Sequence, residues 1–307
     1  MLAVDEIEPV VSVIIPVYND LVRLQKCLNA VDAQSYPKEL YEVIVIDNGS
    51  LESPKPVTAQ YEYIKLLSEL EPGSYAARNT GVLSAKGDIL AFTDADCIPD
   101  KDWLQQGVEC LKSSDNCGLV AGRIELFFRD AENPTAVEIY ESIEMGFSQS
   151  ELLQEQHYGL TANLFTYRSV VNKVGLFDTK LKSGGDKEWG QRVFNADYQQ
   201  VYSHNAYVYH PTRHTFKELY KRVTRIVGGR YDATKDQLSG TGHFRALLND
   251  IVLAFTPPGR SILRAWNKEK LVNRKQKIQF VSTLFFVRYV SAWERIRLRL
   301  GGHSRRW

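Results

Sequence analysis

Apolar runs that stop abruptly in small polar and acidic residues recur along the first third of the chain. "VSVIIPVYN" (11–19) is continuous and β-branched and closes in a turn, the form of a strand buried on both faces. Asp20 stands at a helix-capping position behind it, and Leu21, Leu24 and Leu28 recur at helical spacing. "YEVIVIDNGS" (41–50) repeats the form, with a strand at Val43–Ile46 running out into Asp47, Asn48 and Gly49. "YIKLL" (63–67) reads as a third strand, "SYAARNTGVLSAKGD" (74–88) as a helix closed by Gly87, and "ILAFT" (89–93) as a fourth strand. Strand alternating with helix in this way predicts an α/β fold, a doubly wound sheet flanked by helices. Ligands of such sheets collect at the carboxyl ends of the strands. Tyr18, Asn19, Asp47, Asn48, Asp94 and Asp96 all fall on that edge.

Beyond residue 118 the pattern becomes mixed. "LVAGRIELFF" (119–128) reads as a strand, "NPTAVEIYESIEMGF" (133–147) as a helix, and "LTANLFTYRSVVNKVGLFD" (160–178) as a strand and a short helix. "SGGDKEWGQRVFNAD" (183–197) sets an acidic, glycine-preceded loop at the mouth of a helix, and "QQVYSHNAYVYH" (199–210) is a strand ending in His210. From about 215 onward the chain reads as helical and basic.

Composition narrows the class. With 307 residues, 44% hydrophobic and 24% charged, the chain has the make-up of a globular protein. Its four cysteines form no C-x-x-C pair, which points away from a zinc site or disulfide framework and towards a reducing compartment. Residues 1–10 lack the basic start and apolar stretch of a secretory signal, and no uncharged run reaches the roughly 18 residues of a membrane span. The expectation is a cytoplasmic protein. A net charge of +1 hides an asymmetry: residues 213–307 carry 21 Lys and Arg against 6 Asp and Glu, while residues 1–212 carry 17 against 31. An acidic body followed by a basic section is suited to meeting something anionic.

The stretch "ILAFTDADCIPD" (89–100) places Asp94 and Asp96 one residue apart where a buried strand must emerge into water, because unpaired buried acids are costly. Acids are common at strand ends as turn formers. They also suit a divalent-metal site, since hard cations prefer carboxylate oxygens.

The ordered series "VSVIIPVYN", "VIVIDNGS", "AARNTG", "AFTDADC", "GGDKEWGQR" and "YHPTRH" resembles the family 2 glycosyltransferases of GT-A fold over roughly residues 11–215. The resemblance implies a GT-A-like doubly wound mixed sheet at 1–215 and a basic helical C-terminal extension at 216–307. It implies an inverting enzyme that moves a sugar from a nucleotide-diphosphate donor, UDP foremost, to a saccharide or lipid-linked acceptor in cell-surface polysaccharide or glycolipid synthesis. Asp94 and Asp96 then match the D-x-D pair, one carboxylate towards the metal and the other towards ribose or metal, so that both count as metal ligands with His210 as an added one. The cofactor is Mn²⁺ or Mg²⁺, the imidazole favouring manganese because Mg²⁺ sites are dominated by oxygen. Pro16, Tyr18, Asp47, Asn48, Arg78 and Asp94 fall to the nucleotide subsite, with Asn48 where many relatives carry a second aspartate. Asp186 matches the catalytic base that takes the acceptor proton. The family usually places glutamate before that acid, and here Gly185 precedes it. Glu188 is the local rival, and with Trp189, as a stacking surface, it is assigned to the acceptor side. The Q-x-x-R-W motif of processive relatives is missing, so single-sugar transfer is expected.

The stretch "IQFVSTLFFVRYVSAWERIRLRL" (278–300) mixes aromatic and arginine residues as an interfacial helix does. It suits peripheral binding at the anionic inner face of a membrane, with Phe280, Leu284, Phe285 and Trp293 inserting. Packing within the protein is the alternative. No nucleic-acid-binding motif accompanies the charge. Three rivals stay open: a metal-dependent phosphatase, whose acidic pair would sit on the first strand; a nucleotidyltransferase, whose basic glycine loop is missing; and a degenerate transferase fold acting as a binding module.

Overall fold

The computed structural model describes residues 11–144, 148–235, 240–256, 259, 262–263, 271 and 273–305. The expected alternation is present: β1 (Val11–Val17), α1 (Leu21–Asp32), a 3-10 turn (Lys38–Leu40), β2 (Tyr41–Asp47), α2 (Lys55–Thr58), β3 (Ile64–Ser68), α3 (Ser74–Ser84) and β4 (Ile89–Thr93). There follow β5 (Ile98–Pro99), α4 (Trp103–Lys112), β6 (Cys117–Phe127), α5 (Ala136–Glu144), α6 (Gln149–Gln156), β7 (Asn163–Tyr167), α7 (Arg168–Val174), α8 (Gly185–Asn195) and β8 (Gln199–Pro211). The last described helices are α9 (Phe216–Thr234), α10 (Gly240–Phe255) and α11 (Arg274–Arg299).

The strands form one mixed sheet of eight in the order β3-β2-β1-β4-β7-β6-β8-β5. The first four are parallel, with Val13 opposite Val43 and Ala91, so their carboxyl ends share one edge. β7 runs antiparallel to both β4 and β6, and β5 antiparallel to β8. Three boundaries depart from the sequence reading. The helix expected over 74–88 ends at Ser84, β5 was not foreseen, and Asp186 lies in the first turn of α8 rather than in a loop. Of the helix expected over 133–147, α5 covers the described part, and residues 145–147 and 1–10 lie outside the described residues.

The chain divides into two compact units, Met1–Glu125 with Phe147–Thr179 and Gly185–His210, and Leu126–Gly146 with Lys180–Gly184 and Pro211–Trp307. In the first, Ile15, Leu24, Val43, Trp103, Phe165 and Val208 belong to one fully buried core. Two features bring helices onto the sheet. Asp20 caps α1 by accepting the Arg23 amide at 3.3 Å. Gly81 lets α3 lie directly on β1 and β2, since a Cβ there would come within 2.6 Å of Ile14 and 2.9 Å of Ile46. The buried Asn163 side chain then links β7 to its neighbours, donating to the carbonyls of Arg123 (2.8 Å) and Ala206 (3.0 Å) and accepting from the Trp103 indole (2.8 Å).

The second unit has its own core of Tyr140, Leu219, Val223, Phe280, Leu284 and Leu298. Thr215 and Glu218 form a reciprocal capping box at the start of α9. Buried Asp250 on α10 accepts from Arg295 and Arg299 of α11, each at 2.6 Å. Two more buried acids on α5 are fully engaged. Glu141 pairs with Arg213 and Arg222, while Glu138 accepts the amides of Arg129 and Thr135 and faces His214 at 3.3 Å. This core corrects the expectation for 278–300: Phe280 and Leu284 face inward, where they fill the apolar space between helices, and cannot insert into lipid. Ile278, Tyr289, Trp293 and Leu300 are the exposed apolar positions of that stretch, Trp293 at 64%. No helix among the described residues is long and apolar enough to cross a membrane.

Candidate active site

The parallel strand ends deliver the expected residues to one edge, where the loops are tied to one another by side-chain amides. Asn19 donates its backbone amide to the Ser50 hydroxyl (2.9 Å) and accepts the Leu51 amide (2.7 Å), joining the β1 loop to the β2 loop. Asp47 accepts the Ser50 amide at 2.9 Å, closing the turn after β2. Asn48 donates to the carbonyls of Glu69 (3.0 Å) and Glu71 (2.8 Å) and accepts the Gly73 amide (2.7 Å). Its amide therefore clamps the segment that leads from β3 into α3. Tyr18 is 53% exposed beside these turns, whereas Pro16 lies half-buried inside β1 opposite Ile46.

At the end of β4 the two aspartates turn to different partners. The Asp94 carboxylate accepts from Arg78 of α3 at 2.5 Å, and the Arg78 side chain is only 5% exposed. Asp96 faces His210 Nε2 at 3.8 Å and Arg23 at 3.6 Å. The unforeseen β5 explains this second contact: Ile98 pairs with Tyr209 and Pro99 with Val208, so the turn holding Asp96 is delivered beside the end of β8. Ligand atoms of Asp96, Cys97 and His210 lie within 4.8 Å of one another. Burial first, then the charges of Asp96 and Asp94, push the Cys97 thiol well above its ordinary range. Of the three, the carboxylate and the buried imidazole suit a hard or borderline cation, whereas sulfur suits softer metals. That donor set fits a divalent ion such as Mn²⁺.

Asp186 accepts from the Thr161 hydroxyl at 2.8 Å. Thr161 lies just before β7, and β7 pairs with β4, so the acid is fastened to the same strand ends that carry Asp94. Its rival differs in chemistry. Both oxygens of Glu188 are held by Arg192, at 2.7 and 3.0 Å, and Arg192 continues to the carbonyls of Val174 and Leu176. Both Glu188 oxygens are thus taken up by one guanidinium in a two-pronged pair. Trp189 is completely buried, donates to the Gly175 carbonyl at 3.0 Å and packs on Phe177, so the stacking surface expected of it is not presented. An indole on the inward face of α8 completes the core rather than the acceptor side.

Tyr75, Thr161 and Arg23 were not picked out from the sequence. Tyr75 could have been, since it is the bulky residue of "GSYAARN" one helical turn before Arg78. Its ring also accounts for Gly185 standing where the family usually has glutamate: a Cβ at 185 would lie 2.6–2.8 Å from three ring carbons.

The mixed α/β sheet carries an Arg-paired D-x-D turn and a facing histidine at one edge, the arrangement expected of a GT-A-fold sugar transferase. Residues 12–175 match the family described as Glycosyl transferase family 2. The chain is 43% identical to glycosyltransferase AglE of Haloferax volcanii over 227 residues, 72% of this chain and 73% of that one. It is 24% identical, over 77% of its length and 76% of the other's, to a dolichyl N-acetyl-α-D-glucosaminyl phosphate 3-β-D-2,3-diacetamido-2,3-dideoxy-β-D-glucuronosyltransferase of Methanococcus voltae. A mannosyltransferase from Pyrobaculum calidifontis, solved with GDP-mannose and Mn²⁺, superposes with a TM-score of 0.61 at 18% identity, covering 94% of this chain and 87% of that one. The chain belongs to glycosyltransferase family 2, and it is a glycosyltransferase of GT-A fold.

Proposed function

We propose that the enzyme transfers single sugars, with inversion and metal assistance, from a nucleotide-diphosphate donor to a saccharide or lipid-linked acceptor. The observation that carries this is the convergence, at one sheet edge, of the Arg78–Asp94 pair, the Asp96–His210 pair and the Thr161-held Asp186. Negative charge grows on the leaving diphosphate, and cations placed there lower the barrier. Asp96 and His210 would hold a divalent ion, which supplies charge stabilisation to the departing phosphate. Arg78 holds Asp94 in one orientation at the nucleotide side, and Tyr18 offers its exposed ring to the base. Asp186 takes the acceptor proton as the oxygen attacks. UDP is the first donor to test, and GDP the second, because the solved Pyrobaculum relative carries GDP-mannose.

A lipid-linked acceptor is favoured by the Methanococcus relative, whose name specifies a dolichyl phosphate-linked sugar. Synthesis of a surface polysaccharide or glycolipid at the inner face of a membrane accords with this. The basic balance of residues 213–307 and the outward Ile278, Tyr289 and Trp293 support contact with an anionic lipid surface.

The test is nucleotide release from a panel of UDP- and GDP-sugars with Mn²⁺, comparing wild type with Asp96→Ala and Asp186→Asn. Wild type turns over; Asp96→Ala does not and binds nucleotide more weakly. Asp186→Asn binds donor but loses on the order of 10²-fold or more in turnover. Full activity in excess chelator refutes the metal role. Nucleotide binding without release from any donor would favour the binding-module reading instead.

A further inference from the structure

We infer that Tyr75 is the positioning residue of Asp186: its hydroxyl oxygen caps the first turn of α8, and Gly185 is required because the Tyr75 ring fills the space of a side chain there. The inference rests on the reading of Asp186 as base.

The opening amides of any helix need acceptors. Gly184, immediately before α8, has no side chain with which to cap it. Tyr75 supplies the acceptor from another helix, its oxygen taking the Gly185 amide at 2.9 Å, and the Asp186 amide acts on the same oxygen. Burial, followed by the nearby Asp186 charge, pushes the Tyr75 hydroxyl upward, so it remains a neutral phenol across the working range of the enzyme.

The ring itself is fixed on both sides. It stacks on Phe177 with centroids 5.9 Å apart and planes 22° from parallel. Phe177 is pinned by Asn79, which donates to its carbonyl (2.8 Å) and accepts its amide (3.0 Å), and it packs at 5.2 Å on Trp189 of α8 itself. One turn along α3, the Arg78 guanidinium lies 5.9 Å from the Tyr75 ring centroid and reaches Asp94. A single turn of α3 therefore fixes a donor-side carboxylate through Arg78 and the base-bearing turn through Tyr75. The spacing between the two is set by i, i+3 helical geometry, which bends little. Misplacing a reacting group by about 1 Å costs up to about 10²-fold in rate.

Tyr75→Phe keeps the ring and deletes the cap. We expect kcat, read well below the midpoint, to fall about tenfold or more with the donor KM within about twofold of wild type, while the buried Gly185 amide left without its acceptor lowers the thermal midpoint by about 2–10 °C. A merely structural role would lower the midpoint and leave kcat of the folded enzyme unchanged. Gly185→Ala provides the second arm. In wild type it collides with the ring and should cost at least about tenfold in kcat; added to Tyr75→Ala, where the space is open, it should cost less than about twofold more. Full kcat in Tyr75→Phe, or an equal cost of Gly185→Ala in both backgrounds, overturns the inference. Asp186→Asn, run alongside, separates the failures. Healthy turnover there refutes the base and this inference with it, whereas a dead Asp186→Asn beside an unimpaired Tyr75→Phe refutes the positioning alone.

Discussion

Asn48 offers a sharp test of how the donor edge is built. Its two amide hydrogens go to the carbonyls of Glu69 and Glu71, and its oxygen takes the Gly73 amide, so the whole side chain fastens the approach to α3. Asn48→Asp keeps the shape and the acceptor but turns two donations into carboxylate-to-carbonyl repulsions. Each lost hydrogen bond is worth about 1 kcal/mol net. Two such losses, with the repulsion partly relieved by water at this half-exposed site, come to about 2–3 kcal/mol. For a unit of this size that lowers the melting midpoint by about 4–12 °C, at about 2–4 °C per kcal/mol. Because the clamp feeds the turn carrying Tyr75 and Arg78, kcat should fall as well, whichever base the donor carries. Differential scanning fluorimetry and donor kinetics with UDP- and GDP-sugars read the two effects. A midpoint within about 1 °C of wild type, far below the expected shift, together with a change in base preference, would refute the clamp and return Asn48 to reading the base.

Two further outcomes follow from the second unit. Glu138 is buried, and although burial alone would raise its pKa, the amides of Thr135 and Arg129, the Thr135 hydroxyl and His214 outweigh it and hold it below its ordinary value of 4.5. A lowered folded-state pKa means stability that is present above about pH 4.5 and lost as pH falls through the folded value, so Glu138→Gln should flatten the acid limb of the midpoint-versus-pH curve; an unchanged limb would assign the acid loss elsewhere. On α11, replacing the outward Ile278, Tyr289 and Trp293 by serine should reduce co-sedimentation with anionic vesicles while the core formed by Phe280 and Leu284 survives, and salt should weaken wild-type binding. Negligible binding of wild type to those vesicles would retire the membrane surface and leave the transferase assignment standing.

The parallel half of the sheet was legible because each strand is a continuous apolar run closed by polar residues, and such runs have one stable place, covered on both faces. The edge holding Tyr18, Asp47, Asn48, Asp94 and Asp96 followed directly, since parallel strands bring all carboxyl ends to one side. Local spacing alone could not say which way side chains at that edge would turn. Asp94 and Asp96 look equivalent in sequence, and only the antiparallel pairing of the two-residue β5 with β8 carries Asp96 to His210 while α3 brings Arg78 to Asp94. The surroundings of Trp189 and Glu188 were illegible for the same reason: whether an indole faces core or solvent, and whether an acid finds an arginine, depends on what packs against α8. Phe280 and Leu284 read as lipid-facing because helical periodicity marks an apolar stripe without naming its neighbour. The sequence by itself determined where all the strands but β5 fall along the chain and the chemistry at their ends, through propensities and patterns acting over a few residues. Tertiary packing alone decided the partners, setting Tyr75 against Gly185 from 110 positions away, because contacts between distant segments exist only once the chain has closed on itself.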